Sequence, residues 1–172
     1  MRTYPVTSRA AFTLVEILLV VLVMAISAAI VIPRIGSAQD SQVISAARVV
    51  QSDLDVVRSL AVTTQKPYTL LFSPDKKSYK VAVNYAATSY AATTPVPHPI
   101  YAKQNYEVFL ASLNGMNAVL VTDVNSSGTQ YVTFQPLGDP AAAWSVTLQS
   151  GRCKKQVSVE ALTGNIAVTT VP

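Results

Sequence analysis

The chain has 172 residues, half of them hydrophobic and 13% charged, with a formal net charge of +4; that length suits one domain plus a tail or anchor, and the apolar share is high for a wholly soluble domain. One Cys and one His exclude an intrachain disulfide and leave no cluster with metal-ligand spacing. Setting aside Arg2 and Arg9, which precede the first apolar run, basic residues exceed acidic ones by only two, too little to argue for a nucleic-acid partner.

Residues 1–11, MRTYPVTSRAA, are short, polar and basic. The 21 residues from Phe12 to Ile32 follow, with Glu16 as their one charge. As a helix this segment is about 32 Å long, enough to span a bilayer core, with Arg2 and Arg9 holding the N-terminus on the cytoplasmic side. A secretory signal peptide is cut after its apolar core, but here the small pair Ala10-Ala11 comes before it. A carboxylate within an apolar helix costs about 2.5–3.5 kcal/mol on insertion scales. No Lys or Arg lies between Arg9 and Arg34. Glu16 therefore either pairs with a group from another copy of the chain or lies hydrated at the membrane surface.

Arg9-Ala10-Ala11 followed by Phe12-Thr13-Leu14-Val15-Glu16 and a long apolar run resembles the class III leader of type IV prepilins. The resemblance implies cleavage by a prepilin peptidase between Ala11 and Phe12, N-methylation of Phe12, and an assembly role for Glu16. In that family the residue before the cut is usually Gly; here it is Ala11. The implied mechanism pairs the Glu16 carboxylate with the Phe12 amine of a neighbouring subunit as the helix leaves the lipid.

Pro33 and Gly36 follow the apolar run. Pro removes a helical hydrogen bond and Gly costs about 1 kcal/mol in a helix interior, which predicts a kink there. Val43, Ala47, Val50, Leu54, Val57 and Ala61 then recur at helical spacing, with Gln42, Arg48, Gln51, Asp55 and Arg58 opposite. This predicts an amphipathic helix from about Gln39 to Thr64, ended by Lys66-Pro67, whose stripe needs a sheet to cover it.

From Tyr68 the pattern turns to short strand-like runs. Tyr68–Phe72 and Ser78–Tyr85 flank the turn Ser73-Pro74-Asp75-Lys76-Lys77 and predict a hairpin. The stretch Ala86–Pro99 is low in complexity and reads as a long exposed loop. His98 lies in it with no helix or strand to hold it, which argues against a nucleophile–base triad. Further strands are expected at Tyr106–Leu110, Ala118–Thr122, Gln130–Phe134, Ser145–Gln149, Gln156–Glu160 and Ile166–Thr169. The turns at Asn125-Ser126-Ser127-Gly128, Ser150-Gly151 and Thr163-Gly164-Asn165 suggest that the last five form antiparallel hairpins.

Tyr131-Val132-Thr133-Phe134, Leu137-Gly138-Asp139-Pro140, Val146-Thr147-Leu148, Val157-Ser158-Val159 and Leu162-Thr163-Gly164-Asn165-Ile166 together resemble the GspH/FimT/FimU-type minor pilin domain. That likeness covers nearly the whole chain. It implies an α+β, pilin-like fold: a long N-terminal helix packed on an antiparallel β head. The expected organisation is a leader (1–11), a transmembrane and assembly helix (12–32), a scaffold helix (33–66) and a globular head (67–172). The implied function is a structural subunit, with no catalytic residues and no cofactor, that helps initiate or cap a type IV pilus or type II secretion pseudopilus. Its implied partners are other pilins or pseudopilins, the prepilin peptidase and the inner membrane, with the head in the periplasm. A plain single-span exported protein that never polymerises is a further alternative.

Two weaker signals remain. Asp123-x-Asn125-x-Ser127-Gly128 resembles the start of a calcium loop, but its twelfth position is Phe134, where a bidentate acid is required. Arg152, Lys154 and Lys155 form a basic cluster, read either as a solvated turn or as a DNA contact, since some relatives of the FimT branch bind DNA during uptake. Cys153 beside them is either a thiol of lowered pKa or a buried strand residue.

Overall fold

The computed structural model describes residues 12–31, 34–85, 89–101, 103–124 and 128–171. The chain divides into two units, Met1–Ser37 and Ala38–Pro172.

In the first unit, helix α1 covers Leu14–Val31. Thr13 caps it: its hydroxyl accepts the Glu16 N–H at 3.2 Å, while its carbonyl accepts the same N–H at 3.1 Å. Thr and Glu three residues apart at a helix start are the residues of a capping box. From Leu14 to Ile26 the large apolar side chains are 47–78% exposed, so α1 is apolar all round rather than on one stripe. Its 18 residues span about 27 Å. Among the described residues no helix is long and apolar enough to cross a membrane. Of the two residues where the kink was expected, Pro33 lies outside the described residues, as do Ile32 and Ala11, and Gly36 lies within the next helix.

Helix α2 covers Arg34–Thr64, beginning earlier than its periodicity indicated and ending at the expected residue. Gln65 stops it in a left-handed conformation, φ 54°. The Gln65 side-chain amide donates to the Val62 carbonyl at 2.7 Å and the Thr64 hydroxyl to the Leu60 carbonyl at 2.7 Å. The first of these satisfies a carbonyl that the helix end leaves open, and the second adds to a carbonyl of the last full turn.

The second unit carries two antiparallel sheets. Strands β1 (Tyr68–Phe72), β2 (Ser78–Val83), β3 (Glu107–Phe109) and β5 (Tyr131–Phe134) form the first, in the order β3-β2-β1-β5. Strands β4 (Leu120–Val124), β6 (Trp144–Ser150), β7 (Cys153–Val159) and β8 (Ile166–Val171) form the second, in the order β4-β6-β7-β8. All six residues of the expected helical stripe, Val43 to Ala61, are fully buried. They share one core with Leu70, Phe72, Tyr79 and Val81 of the first sheet and Val146, Leu148, Val157 and Val159 of the second. The expected α+β architecture is therefore present, with α2 as the element on which both sheets close.

Two expectations need correcting. First, β4 and β5 are not a hairpin: β4 pairs with β6 and β5 with β1, so the chain changes sheets between them. Second, the stretch read as a long exposed loop is partly buried and fastened to the first sheet. Residues 86–88 lie outside the described residues, but beyond them Lys80 Nζ donates to the Thr93 carbonyl at 2.6 Å and lies 4.1 Å from the centre of the Tyr90 ring. The Tyr90 hydroxyl shares a 3.0 Å hydrogen bond with Ser78 and donates to Glu107 at 2.9 Å. Val96 donates to the Val81 carbonyl at 2.8 Å and accepts from Tyr106 at 2.7 Å. This segment covers the face of β2 turned away from α2, so Ser78, Lys80 and Ala82 are as buried as Tyr79 and Val81. Burying the Lys80 ammonium is tolerable because a carbonyl and an aromatic face replace its water.

Candidate functional site

The N-terminal end of α1 carries the residues singled out for processing and assembly. Phe12 is exposed and precedes the capping residue Thr13. Glu16 falls in the first turn of α1, where the helix dipole favours a carboxylate. Its charge thus sits at the positive end of the helix, a few residues from the position a new amine on Phe12 would occupy. The described helix supplies no cation: between Arg9 and Arg34 there is none.

In the second unit the head motifs converge on α2. Arg58, expected on the solvent face, turns inward. Its Nε donates to the Gly138 carbonyl at 3.2 Å and its Nη2 to the Thr163 carbonyl at 3.0 Å. The two turns it holds carry Leu137-Gly138-Asp139-Pro140 and Leu162-Thr163-Gly164-Asn165. Gly138 and Gly164 both have positive φ, 87° and 62°, and both approach the Arg58 side chain. A guanidinium suits this role because its planar fork reaches two carbonyls at once. Gln51 similarly donates to the Ile166 carbonyl at 3.5 Å. At the other end of the head, Gly151 in the β6–β7 turn packs against Gln39.

A third cluster was not read from the sequence. Asp53 on α2 accepts the Tyr79 hydroxyl on one oxygen and the Tyr106 hydroxyl at 3.1 Å on the other. Burial holds its carboxyl above the usual carboxylate range, and the two tyrosine bonds partly offset that shift. The same burial, with the adjacent carboxylate, pushes both tyrosines well above their ordinary value. Beside them His98 is held after all: Nδ1 accepts the backbone N–H groups of Ile100 and Tyr101 at 3.1 and 3.2 Å. Its ring centre lies 4.8 Å from that of Tyr101 and 4.5 Å from that of Tyr106. The missed signal was spacing: Asp53 falls three residues after Val50 and four before Val57, at the edge of the apolar stripe.

The basic cluster does not form one surface. Arg152 is exposed in the turn after β6, whereas Lys154 and Lys155 are successive residues of β7 and point to opposite faces. Lys155 shares its face with Val157 and Val159, and its ammonium donates to the Thr170 hydroxyl at 2.5 Å. Cys153 is half-buried at the edge of the core. Of the calcium-like pattern, Asp123 lies in β4, while 125–127 lie outside the described residues. Among the described residues no group of three or more His, Cys, Asp or Glu could hold a metal ion.

A family model described as type II transport protein GspH matches residues 46–164. Solved structures give the same likeness. The type IV minor pilin FimU of Pseudomonas aeruginosa (strain PAO1) is 14% identical with a TM-score of 0.51, covering 77% of this chain and 90% of that one. The minor pseudopilin EpsH from the type II secretion system of Vibrio cholerae is 8% identical with a TM-score of 0.55, covering 75% and 97%. A second crystal structure of EpsH is 7% identical with a TM-score of 0.56, covering 77% and 96%. At these identities the structures speak for the fold. A search of curated proteins gave no match.

Proposed function

The chain belongs to the GspH family of type II transport proteins, and from that membership we propose that it is a minor pilin or pseudopilin, a structural subunit assembling with other such subunits into a type IV pilus or type II secretion pseudopilus. The observation that carries this reading is the family match to residues 46–164 on a chain whose N-terminus reads Phe12-Thr13-Leu14-Val15-Glu16.

The finer steps follow from the N-terminal residues. A prepilin peptidase cleaves between Ala11 and Phe12 and methylates the new amine. Residues 12–32 anchor the subunit in the inner membrane as a single span, with the head in the periplasm. The 21-residue apolar run supports the anchor, being longer than the 18 residues of α1. The mature Phe12 amine of a neighbouring subunit is a cation that the side chains between Arg9 and Arg34 do not supply. Pairing between neighbours favours docking and sets the axial register, because an unpaired carboxylate inside a helix bundle costs more than a paired one.

A clean deletion, scored for surface pili and for secreted proteins, tests the reading. Loss of pili with normal secretion assigns the subunit to a type IV pilus. Exoproteins trapped in the periplasm with normal pili assign it to type II secretion. Both processes unchanged would contradict the proposal.

A further inference from the structure

His98 closes a tight turn through a single ring atom. Its Nδ1 accepts the backbone N–H groups of both Ile100 and Tyr101, at 3.1 and 3.2 Å. Two N–H groups aimed at one ring nitrogen require a lone pair there, so the ring is neutral with its proton on Nε2. Pro99 follows His98 with its φ already set for a turn. The ends of the segment are tied by other bonds: the His98 N–H donates to the Gln104 carbonyl at 2.8 Å, and Pro97 pairs with Asn105. A second proton on the imidazole falls on Nδ1 and faces both donors. Whether the ring then turns or the bonds stretch, the Ile100 and Tyr101 N–H groups lose their acceptor. Once charged, the ring has a carboxylate close by: Asp53 of α2 lines the same cavity and interacts with it electrostatically. Glu107 of β3 lines the cavity as well, but its carboxylate accepts the Tyr90 hydroxyl. Tyr101 and Tyr106, whose ring centres lie 4.8 and 4.5 Å from that of His98, carry no charge in acid. Lys103 of the same loop is exposed, so solvent screens it.

From this geometry we propose that His98 is a pH-sensitive latch: neutral, it holds the turn from His98 to Tyr101 closed, and protonated, it releases it. Histidine changes charge within about pH 5–8, so mild acidification is the signal. An acceptor that only the neutral ring supplies stabilises the turn at higher pH, and that stability is lost as pH falls through the titration of the ring. The turn carries Ile100 and Tyr101, 75% and 59% exposed, and the latch fixes their placement on the edge of the head. The Gln104 bond and the Pro97–Asn105 pairing confine the opening to the turn, while α2 and the two sheets keep their packing. The latch stands on the head alone and does not depend on filament assembly.

The test uses the full-length chain in detergent micelles, followed by NMR. His98 is the only histidine of the sequence, so its imidazole signals report its protonation without ambiguity. Hydrogen exchange of the Ile100 and Tyr101 amides is measured alongside and corrected for the intrinsic effect of pH on exchange. Their protection should fall about tenfold between about pH 7.5 and pH 5, with the same midpoint as the imidazole signals. The Val146 and Val157 amides, on the two inner strands of the second sheet, should stay protected and so exclude general unfolding. His98→Asn puts an Oδ1 in the place of Nδ1; it accepts the same pair of N–H groups and does not titrate. Protection in that variant should be equal at the two pH values. Wild-type protection that stays constant while the ring titrates, or a fall that His98→Asn shows equally, would overturn the latch. The wild type decides by itself should Asn disturb the turn: amide and imidazole midpoints more than about one pH unit apart would also overturn it.

Discussion

Gly164 packs so closely on Gly138 that a Cβ added to Gly164 would lie 2.3 Å from the Gly138 carbonyl oxygen. The carbonyl is backbone and is also held by Arg58, so it cannot move aside. Gly164 further needs its positive φ of 62°, which costs a residue with a Cβ about 1–2 kcal/mol.

Gly164→Ala is therefore expected to destabilise the chain by at least about 2 kcal/mol, read by urea unfolding of the detergent-solubilised protein. Gly151→Ala is the contrast. There the Cβ meets the end of the Gln39 side chain at 2.1 Å, which can swing away, leaving the backbone strain of about 1–2 kcal/mol. Equal losses at the two positions would show that the contact with Gly138 carries no special weight.

Removing Arg58 should separate the same two turns. Arg58→Ala leaves the Gly138 and Thr163 carbonyls without their charged donor, a loss of about 1.5–3 kcal/mol. Arg58→Lys should recover only part of it, since a point charge does not reproduce the fork. Full recovery with Lys would mean that charge alone matters.

The Asp53 cluster predicts a pH dependence of defined sign. Because burial raises the folded-state carboxyl above its unfolded value, its ionisation weakens the folded state as pH rises through the raised value. The Tyr79 and Tyr106 bonds limit that loss by favouring the ionised form. Tyr79→Phe removes one bond and should destabilise by about 1–3 kcal/mol at pH 7. The loss should shrink as pH falls through the raised value and Asp53 takes up its proton. Unfolding measured at pH 7 and pH 4 checks it; the same loss at both values would contradict it.

Glu16→Ala should leave membrane association intact and block entry into filaments. The apolar run is unaffected, whereas the proposed pairing with a neighbour's Phe12 amine would be lost. Fractionated membranes and sheared filaments, each probed for the chain, give the readout. Normal recovery of the variant in filaments would sink the assembly role.

Retention of the chain on immobilised DNA should be weak, because Lys154 and Lys155 face opposite sides of β7 and Arg152 stands apart in its turn. Any retention by phosphate contacts should fall steeply between about 50 and 200 mM salt. Retention that is strong and independent of salt would contradict the dispersed geometry.

The sequence showed best what local periodicity controls. The stripe from Val43 to Ala61 appears as a fully buried face, and β6 alternates buried and half-buried residues throughout its seven positions, because each pattern repeats the geometry of its own element. It was poorest where a distant segment decides. The turn before Gly128 looks like a hairpin turn, but β5 finds its partner in β1, some sixty residues back. Residues 89–96 lack large aliphatic side chains, so their docking through Tyr90, Thr93 and Val96 left no hydrophobic pattern to read. Arg58 and Asp53 look like ordinary polar positions of an amphipathic helix until Gly138, Thr163, Tyr79 and Tyr106 fold onto them.

The N-terminus of the mature protein tests the central claim most directly. The chain recovered from sheared filaments and from membranes should be read by intact and peptide mass spectrometry. The account expects a protein beginning at Phe12 with a methylated amine. A chain that retains Met1 in both fractions, or is cut beyond the apolar run, would contradict it.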